Sequence, residues 1–320
     1  MILLDGGKPD KDGYVTFYVG DFHKGNVGLA AYDTSGNILW SWHLWFTDVP
    51  KDVTTGNYSL MDRFLGATFA PTISGDKITF SGNQQLATYG FYYQWGKKDP
   101  FFGPSSVDSA DNTNNNTPQC STYWTKAYNG TWTARDTFDT AGIVRVSEAP
   151  ATPLTFRKRT GGESDNNSFW YTDDFVTSKI SQHMWGYGQV GNAAGQGVTK
   201  TVHDPCPPGY MVMYHQVWHV NNSNTYVGES NGTYDPTNED DFHGGGMVLT
   251  KSGFDRAWYP YTGYRDGGNG RVTGVGSEGR ITTCMPYGNY NIRYYYYRKA
   301  KIGQTNFGSA AAQAVRCMKE

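Results

Sequence analysis

The side chains best suited to recognising a ligand are concentrated near the C-terminal end of the chain. Residues 258–271 and 286–299 are rich in tyrosine, arginine and asparagine. Tyrosine offers a large contact area with few rotatable bonds, and arginine and asparagine add directional hydrogen bonds. This mixture is typical of a recognition surface. The alternative, of equal weight, is that alternate tyrosines of a strand pack into the core.

Two motifs match sites of catalysis or cofactor binding but lack a necessary part. His215 and His219 are four residues apart, a spacing at which two imidazoles on a helix reach one metal ion. Gln216 stands where a zinc protease needs a glutamate base, and an amide cannot accept a proton from metal-bound water. Residues 274–279 have the glycine spacing of a dinucleotide-binding turn, but no helix pattern follows them. We therefore predict a glycine-rich turn between strands.

The acidic residues offer one weak metal site and no catalytic pair. Residues 235–241 gather carboxylate and amide oxygens of the kind that calcium prefers, although not at the spacing of a helix–loop–helix calcium loop. A solvated acidic loop is the favoured interpretation, with calcium binding as the alternative. The other carboxylates are scattered, and no Ser, Cys or Lys nucleophile has a neighbouring base. We expect no cofactor and no enzymatic activity.

Composition excludes several classes of protein. The 320 residues include 40 Gly, 24 Tyr, 16 Phe and 10 Trp, and only 18 % are charged. Such a chain is poor in helix formers and rich in strand and turn formers, which excludes an all-helical fold. The formal net charge of -2 provides no basic field for nucleic acid. No apolar run is long enough to span a membrane. Residues 1–7 lack the features of a secretion signal, so we expect that the chain follows a removed leader or is used without one.

The hydrophobic pattern predicts strands in the N-terminal segment and loops in the middle of the chain. Residues 14–46 contain short alternating apolar stretches around a turn at residues 33–37, which predicts a hairpin in a β-rich entry segment of residues 1–50. Trp40 and Trp42 share one face of its second strand and are interpreted as core tryptophans rather than as a sugar-stacking platform. Residues 103–116 are polar and are interpreted as a loop, and residues 161–168 form a second polar stretch. The segment of about 104–170 is interpreted as an insertion of irregular strands.

Four ordered strings resemble one family of bacterial surface proteins. They are residues 57–67 (NYSLMDRFLGA), 90–100 (GFYYQWGKKDP), 200–210 (KTVHDPCPPGY) and 314–320 (AVRCMKE). Together they are similar to the Fibrobacter succinogenes major paralogous domain family, which is common in surface proteins of Bacteroidetes. Residues 25–43 resemble the segment that precedes this domain in fimbrillin-like proteins.

The resemblance implies a C-type-lectin-like fold of the α+β class. Such a fold has a mixed, mostly antiparallel β-sheet, few short helices and long irregular loops. The domain would span residues 51–320, after the β-rich segment of residues 1–50, and would carry the polar insertion at about 104–170. Its N- and C-terminal strands would lie side by side.

The resemblance also implies a disulfide between Cys206 and Cys317. Cys120 and Cys284 have no counterpart in the family, and whether they pair or stay free is left open.

Alignment of the last long strand with the family pattern implies that Tyr294 and Tyr296 point inward and that the neighbouring side chains point outward. We expect the outward side chains and those of the adjoining loops to bind a ligand, because a rigid body would hold them in place before binding. The candidate ligand-binding residues are Tyr261, Arg265, Tyr287, Asn289, Tyr290, Asn291, Arg293, Tyr295, Tyr297 and Lys299.

The resemblance implies a non-enzymatic adhesin or pilus-tip-like subunit, located outside the cell or on its surface. The expected partner is a protein or glycan receptor on another cell surface, with pilus subunits as a further option. Departures from the family pattern within residues 255–298 support an alternative, a variable protein diversified by a retroelement. A receptor-binding protein of a phage tail is another alternative. An enzyme similar to formylglycine-generating enzymes is the least favoured, because their copper-holding cysteine pair cannot be matched to the four cysteines.

Overall fold

The chain folds mostly into short β-strands. The computed structural model describes residues 2–4, 17–73, 78, 80, 84–104, 107, 123–126, 132–135, 140–159, 169–171, 184–187, 198–218, 245–249, 253–287, 291–298 and 301–320. The strands are β1 (Ile2–Leu4), β2 (Phe17–Val19), β3 (Gly25–Tyr32), β4 (Ile38–Phe46), β5 (Asp52–Thr55), β6 (Tyr58–Met61), β7 (Tyr92–Gln94), β8 (Tyr123–Lys126), β9 (Trp132–Arg135), β10 (Thr140–Ala141), β11 (Phe156–Arg157), β12 (Gly186–Tyr187), β13 (Thr199–Lys200), β14 (Tyr210–Val212), β15 (Gly246–Leu249), β16 (Ala257–Pro260), β17 (Tyr264–Arg265), β18 (Val272–Thr273), β19 (Glu278–Tyr287), β20 (Asn291–Arg298), β21 (Lys301–Gly308), β22 (Ala312–Ala314) and β23 (Cys317–Lys319). Among the described residues two short helices accompany them, α1 (Gln84–Ala87) and a 3-10 helix (Val146–Ala151). A β-rich fold with few short helices is therefore confirmed.

The largest sheet carries most of the C-terminal candidate residues. Its strands lie in the order β18-β17-β22-β19-β20-β21, and β7 also pairs with β22. β19, β20 and β21 are antiparallel, whereas β19 and β22 are parallel, so the sheet is mixed. Every residue of β20, from Asn291 to Arg298, has a partner on β21. The position of β20 is therefore fixed from both sides.

A smaller sheet joins the two ends of the region 51–320. Its order is β14-β23-β6-β5, and Met318 of β23 pairs with Leu60 of β6. The last strand, β23, thus lies beside β6 and one strand away from β5, so the N- and C-terminal strands of the region share one sheet, as the resemblance implies. The boundary at residue 50 and the insertion at about 104–170 stay predictions. The remaining pairs among the described strands are β1–β2, β3–β4, β8–β9, β10–β11, β12–β13 and β15–β16.

The disulfide that the resemblance implies is formed. Cys206 and Cys317 are joined across a separation of 111 residues, which ties the segment before β14 to β23. Cys284 is a free, buried thiol. Cys120 lies outside the described residues.

Four aromatic side chains form the centre of the core behind the largest sheet. They are Trp218, Tyr259, Tyr295 and Tyr297, all fully buried, and we call them the aromatic core. The ring of Trp218 lies 4.9 Å from that of Tyr259 and 4.8 Å from that of Tyr295, measured between centroids. Tyr297 lies against Gly279 of β19, where a β-carbon would overlap its ring. Glycine in this strand therefore makes room for a close aromatic contact.

The predicted N-terminal hairpin is present, but its residues Trp40 and Trp42 are not in the core. In its turn, Asp33 Oδ1 accepts hydrogen bonds from the main-chain N–H groups of Ser35 and Asn37, each at 2.8 Å. Trp40 is half-buried, with the ammonium of Lys98 4.5 Å from its ring centre, and lies outside the hydrophobic core. Trp42 is 38 % exposed, so its interpretation as a core residue is wrong.

His43 joins the two strands of the hairpin through one ring nitrogen and connects the hairpin to β7 through the other. Its Nε2 lies 2.8 Å from Asn26 Oδ1, and its Nδ1 lies 3.0 Å from the Tyr93 hydroxyl. The neutral imidazole satisfies both contacts when Nε2 carries the hydrogen, because Nε2 then donates to the amide oxygen and Nδ1 accepts from the phenol. Burial lowers the pKa of His43 to about 4, against an opposing effect of the Asp99 charge. Burial therefore favours the neutral form of the His43 imidazole, which also satisfies both hydrogen bonds.

We expect that replacing both disulfide cysteines, Cys206→Ser with Cys317→Ser, lowers the free energy of unfolding by about 4 kcal/mol, because the unfolded chain regains the entropy of a long loop. Urea unfolding with and without reductant measures this. The wild type should lose stability on reduction, and the double variant should not. Cys284→Ala is the matched control and should keep the response to reductant. A wild type that is equally stable in both conditions would contradict the cross-link.

We also predict that acid weakens the anchoring of the hairpin through His43. Its pKa is lower in the folded chain than in the unfolded chain, so between pH 6.5 and about 4 the unfolded chain takes up the proton first. Stability from this group is complete above pH 6.5 and is lost as the pH falls toward 4. The free energy of unfolding of a His43→Gln variant should therefore fall less steeply with acid than that of the wild type.

The matched control for this experiment is His23→Gln, because His23 is an exposed histidine that takes no part in the hydrogen bonds of His43. Comparing variants at each pH cancels the contributions of other titrating groups. Equal pH slopes for the wild type and His43→Gln would contradict the role of His43.

Candidate functional site

Tyr295 and Tyr297 point into the aromatic core, so their predicted outward orientation is wrong. Their hydroxyls donate to main-chain oxygens, that of Tyr295 to His215 and that of Tyr297 to Pro260 at 2.8 Å. Residues 294–297 are all tyrosine. Successive side chains of a strand point to opposite faces, so two tyrosines face the core whichever way the strand is turned. The hydrophobic pattern alone therefore cannot show which pair is buried.

Tyr261 and Arg265 are also buried, which corrects their predicted exposure. They are 5 % and 1 % exposed. The Arg265 guanidinium donates to the main-chain oxygen of Phe102 at 2.9 and 3.1 Å and to that of Gly270 at 2.7 Å. The ring of Tyr261 packs near that of Tyr297, with centroids 6.0 Å apart. Arg265 is therefore used to bind loop carbonyls inside the fold.

Several other candidate residues lie outside the described part of the chain, and their roles stay predictions. They are Asn289, Tyr290 and Lys299 of the ligand-binding set, His219 of the histidine pair, and residues 235–241 of the acidic loop.

Three predicted residues do lie together, where β19 ends and β20 begins. Tyr287 is the last residue of β19 and pairs with Asn291, the first residue of β20. Tyr287 is 42 % exposed. The guanidinium of Arg293, which is half-buried, lies 4.6 Å from the centre of the Tyr287 ring. A cation over an aromatic ring is an attractive contact, so the two side chains support each other.

Gln304 of β21 holds the Arg293 side chain from the neighbouring strand. Arg293 Nη1 donates to Gln304 Oε1 at 3.2 Å, and Gln304 Nε2 donates to the main-chain oxygen of His215 at 2.7 Å. The same oxygen accepts the hydroxyl of buried Tyr295. A hydrogen-bonded path therefore connects the guanidinium to the aromatic core. We call Tyr287, Arg293 and Gln304 the arginine site.

Sequence reasoning missed Gln304. Its contact with Arg293 depends on the register of β20 with β21 and on the main-chain oxygen of His215, which comes from a distant part of the chain. No local pattern in the sequence signals either relation.

The charge of Arg293 distinguishes it from a second arginine of the same sheet. Arg280 Nη2 lies 2.9 Å from Glu278 Oε1, so its charge is paired. Arg293 forms no ion pair in the part of the chain that the structure describes, and its side-chain hydrogen bond goes to the neutral amide of Gln304. A guanidinium has five N–H donors. Arg293 therefore keeps both charge and hydrogen-bonding capacity for a ligand.

The opposite face of the sheet carries a cluster of rings that the sequence analysis did not predict. The guanidinium of Arg280 lies 3.4 Å from the ring centre of Tyr264, 5.0 Å from that of Phe307 and 5.3 Å from that of Tyr294. Tyr296 lies on the same face, with its ring 6.4 Å from that of Tyr294. Tyr294 and Tyr296 therefore lie on the face opposite the aromatic core. The predicted burial of Tyr294 is confirmed, at 5 % exposed, whereas Tyr296 is half-buried.

A buried cluster of charges links the N-terminal hairpin to the rest of the chain. Lys98 Nζ donates to Asp99 Oδ1 and to the main-chain oxygen of Ser41, both at 2.8 Å, and the Ser41 hydroxyl donates to Asp99 Oδ1 at 2.6 Å. Lys97 is 3 % exposed and donates to the main-chain oxygen of Thr155 at 3.0 Å. Burial lowers the pKa of Lys97 to about 7.

A lysine with a lowered pKa is also a feature of some nucleophilic sites. Here the ammonium of Lys97 lies 4.9 Å from the ring centre of Phe101 and 5.9 Å from that of Trp170, in addition to its bond to a carbonyl. Lys98 and Asp99 bind each other and Ser41 of the hairpin, and Lys97 binds the carbonyl of Thr155. Their contacts favour a structural role at the junction between the hairpin and the rest of the chain.

The remaining motifs have structural explanations where they are described. Gly274 and Gly276 have φ angles of 75° and 74° in the turn between β18 and β19, which confirms the predicted glycine-rich turn. Among the described residues, no three His, Cys, Asp or Glu side chains are grouped to hold a metal ion. Within the same residues, no helix has the length and apolar character needed to cross a membrane.

No family model, curated protein or solved structure matches the chain. The resemblance to the Fibrobacter succinogenes major paralogous domain family therefore stays a prediction.

Proposed function

We propose that this chain is a non-enzymatic recognition protein that binds its ligand at the arginine site. The observation that carries the proposal is the guanidinium of Arg293, which is held by the ring of Tyr287 and the amide of Gln304 and has no carboxylate partner among the described residues. Arginine and tyrosine are the side chains that, with tryptophan, most often dominate binding energy. Asn291 borders the site beside Tyr287.

The surrounding fold supports recognition because it orders the site before a ligand arrives. β20 is paired along its whole length with β21, and the disulfide between Cys206 and Cys317 ties the last strand to the body. A side chain that is already oriented loses less conformational entropy on binding. Arg293 therefore has a lower cost of binding than an arginine on an unconstrained loop.

We further propose an extracellular or surface location, as an adhesin or pilus-tip-like subunit with a receptor on another cell. The disulfide supports this location, because such bonds persist in oxidising compartments. The pairing of β6 with β23 is what a C-type-lectin-like domain of the resembled family would have. The same disulfide disfavours a phage tail protein that is assembled in a reducing cytoplasm.

The enzymatic alternative has less support. An enzyme similar to formylglycine-generating enzymes needs two cysteines that hold copper. Cys206 and Cys317 are bonded to each other, and burial raises the pKa of the Cys284 thiol well above its usual range. A buried, protonated thiol is a poor nucleophile and a poor metal ligand.

A binding screen on arrayed glycans and intact cells tests the proposal. For any ligand found, we expect Tyr287→Ala and Arg293→Ala each to weaken binding by about tenfold or more, as for the central residues of a binding site. Arg298→Ala is the matched control, because Arg298 is an exposed arginine of the same strand outside the arginine site. Circular dichroism checks that each variant is folded. Ligand affinity that is unchanged in both site variants would contradict the proposed site.

A further inference from the structure

We propose that the ligand of the arginine site is a carboxylated glycan, in which the acid group of a sugar pairs with Arg293 and the sugar ring packs on Tyr287. This inference rests on the proposed function and names the class of ligand. The juxtaposition that carries it is a guanidinium with no carboxylate partner among the described residues, directly beside an exposed aromatic ring.

The guanidinium of Arg293 is suited to an anionic partner of planar shape. Its side chain makes one hydrogen bond to protein, from Nη1 to Gln304 Oε1 at 3.2 Å, and no ion pair with a described carboxylate. The remaining N–H groups form the fork that binds a carboxylate through two parallel hydrogen bonds. Because Gln304 is itself fixed by the main-chain oxygen of His215, the fork is oriented in advance.

The ring of Tyr287 provides the apolar part of the site. Its side chain is 42 % exposed although it contacts Arg293, so part of the ring is available to a ligand. The C–H faces of a sugar ring pack on aromatic rings, and the phenol hydroxyl can bond to sugar hydroxyls at the edge. A sugar acid has a carboxylate and an apolar ring face within one monomer. One sugar acid can therefore contact Arg293 with its carboxylate and Tyr287 with its ring, since the guanidinium lies 4.6 Å from the centre of the Tyr287 ring.

An acidic peptide fits the site less well. Extended peptides commonly bind by adding a strand to a free sheet edge, where main-chain hydrogen bonds supply much of the affinity. β20, which carries Arg293, is paired with β19 and with β21, so a strand added to this sheet would pair with the edge strand β21, one strand away from Arg293. At Arg293 and Tyr287 themselves, side chains alone must then recognise the ligand. A ligand rich in hydroxyl groups and without a peptide backbone suits such a surface.

A nucleic acid or other polyphosphate is also disfavoured by charge. Phosphate backbones are bound by several cations together, and their affinity depends on the number of charges neutralised. The whole chain has a formal net charge of -2. The arginine site offers one guanidinium, which suits a ligand with isolated carboxylates.

The test compares sugar acids with their uncharged esters. The probes are galacturonate oligosaccharides, hyaluronan oligosaccharides and sialyl-lactose, each paired with the same compound whose carboxylates are methyl esters. Isothermal titration with the full chain measures affinity. We expect at least one acid to bind, and its ester to bind about tenfold or more weakly, because esterification removes the charge-assisted hydrogen bonds.

Variants locate the effect at the arginine site. Arg293→Ala should remove the preference for the acid over its ester, and Arg293→Lys should recover only part of it, because lysine keeps the charge without the planar fork. Arg298→Ala should leave the preference unchanged. Tyr287→Ala should weaken the acid and the ester alike, since the ring contacts the apolar face of both.

The outcomes separate this inference from the proposed function. Equal binding of acid and ester, with both weakened by Tyr287→Ala, would overturn the carboxylate proposal and leave the binding site in place. A glutamate-rich peptide that binds through Arg293 while no sugar acid binds would also overturn it. Ligand binding that survives both Tyr287→Ala and Arg293→Ala would instead remove the site itself.

Discussion

Tyr295 and Tyr297 project from β20 into the aromatic core, and each hydroxyl donates to a main-chain carbonyl. A buried phenol without such a partner would cost roughly 1–3 kcal/mol. Because successive residues of a strand point to opposite faces, the burial of this pair fixes the orientation of every other side chain of β20. The reverse orientation would turn the exposed Arg298 toward the core, where its charge would lose its hydration.

The arginine site follows from this orientation. Arg293 lies on the same face of β20 as Tyr295 but nearer the end of the strand, so its side chain lies at the border between core and solvent. There it can use a neutral partner, Gln304, and an exposed ring, Tyr287. The carbonyl of His215 binds both Gln304 and Tyr295. The same buried hydrogen-bond network thus stabilises the core and orients the guanidinium.

Local sequence signals predicted the features that depend on neighbouring residues. The turn at residues 33–37 follows from Asp33 and its side-chain hydrogen bonds, and the strand-rich class follows from composition. The pairing of Cys206 with Cys317 came from resemblance and could not come from counting cysteines, because four cysteines allow three pairings. Tyr287 and Arg293 were found because their residue types favour recognition.

Features that depend on tertiary contacts could not be predicted in this way. Four adjacent tyrosines carry no alternation, so the sequence could not show that Tyr295 and Tyr297, predicted to point outward, are the pair that enters the aromatic core. Arginine is a residue type that lies mostly at the surface, yet Arg265 binds the carbonyls of Phe102 and Gly270 inside the fold. Gln304 became part of the site only through the register of β21.

The exposure of individual tyrosines tests the central claim most directly. Native protein treated with tetranitromethane and analysed by peptide mass spectrometry reports which phenols react. We predict that Tyr287 is nitrated readily and that Tyr295 and Tyr297 are protected until the chain is unfolded in urea, since both are fully buried and burial raises the pKa of Tyr297. Modification of Tyr295 and Tyr297 as rapid as that of Tyr287 in the native protein would contradict the orientation of β20 and with it the arginine site.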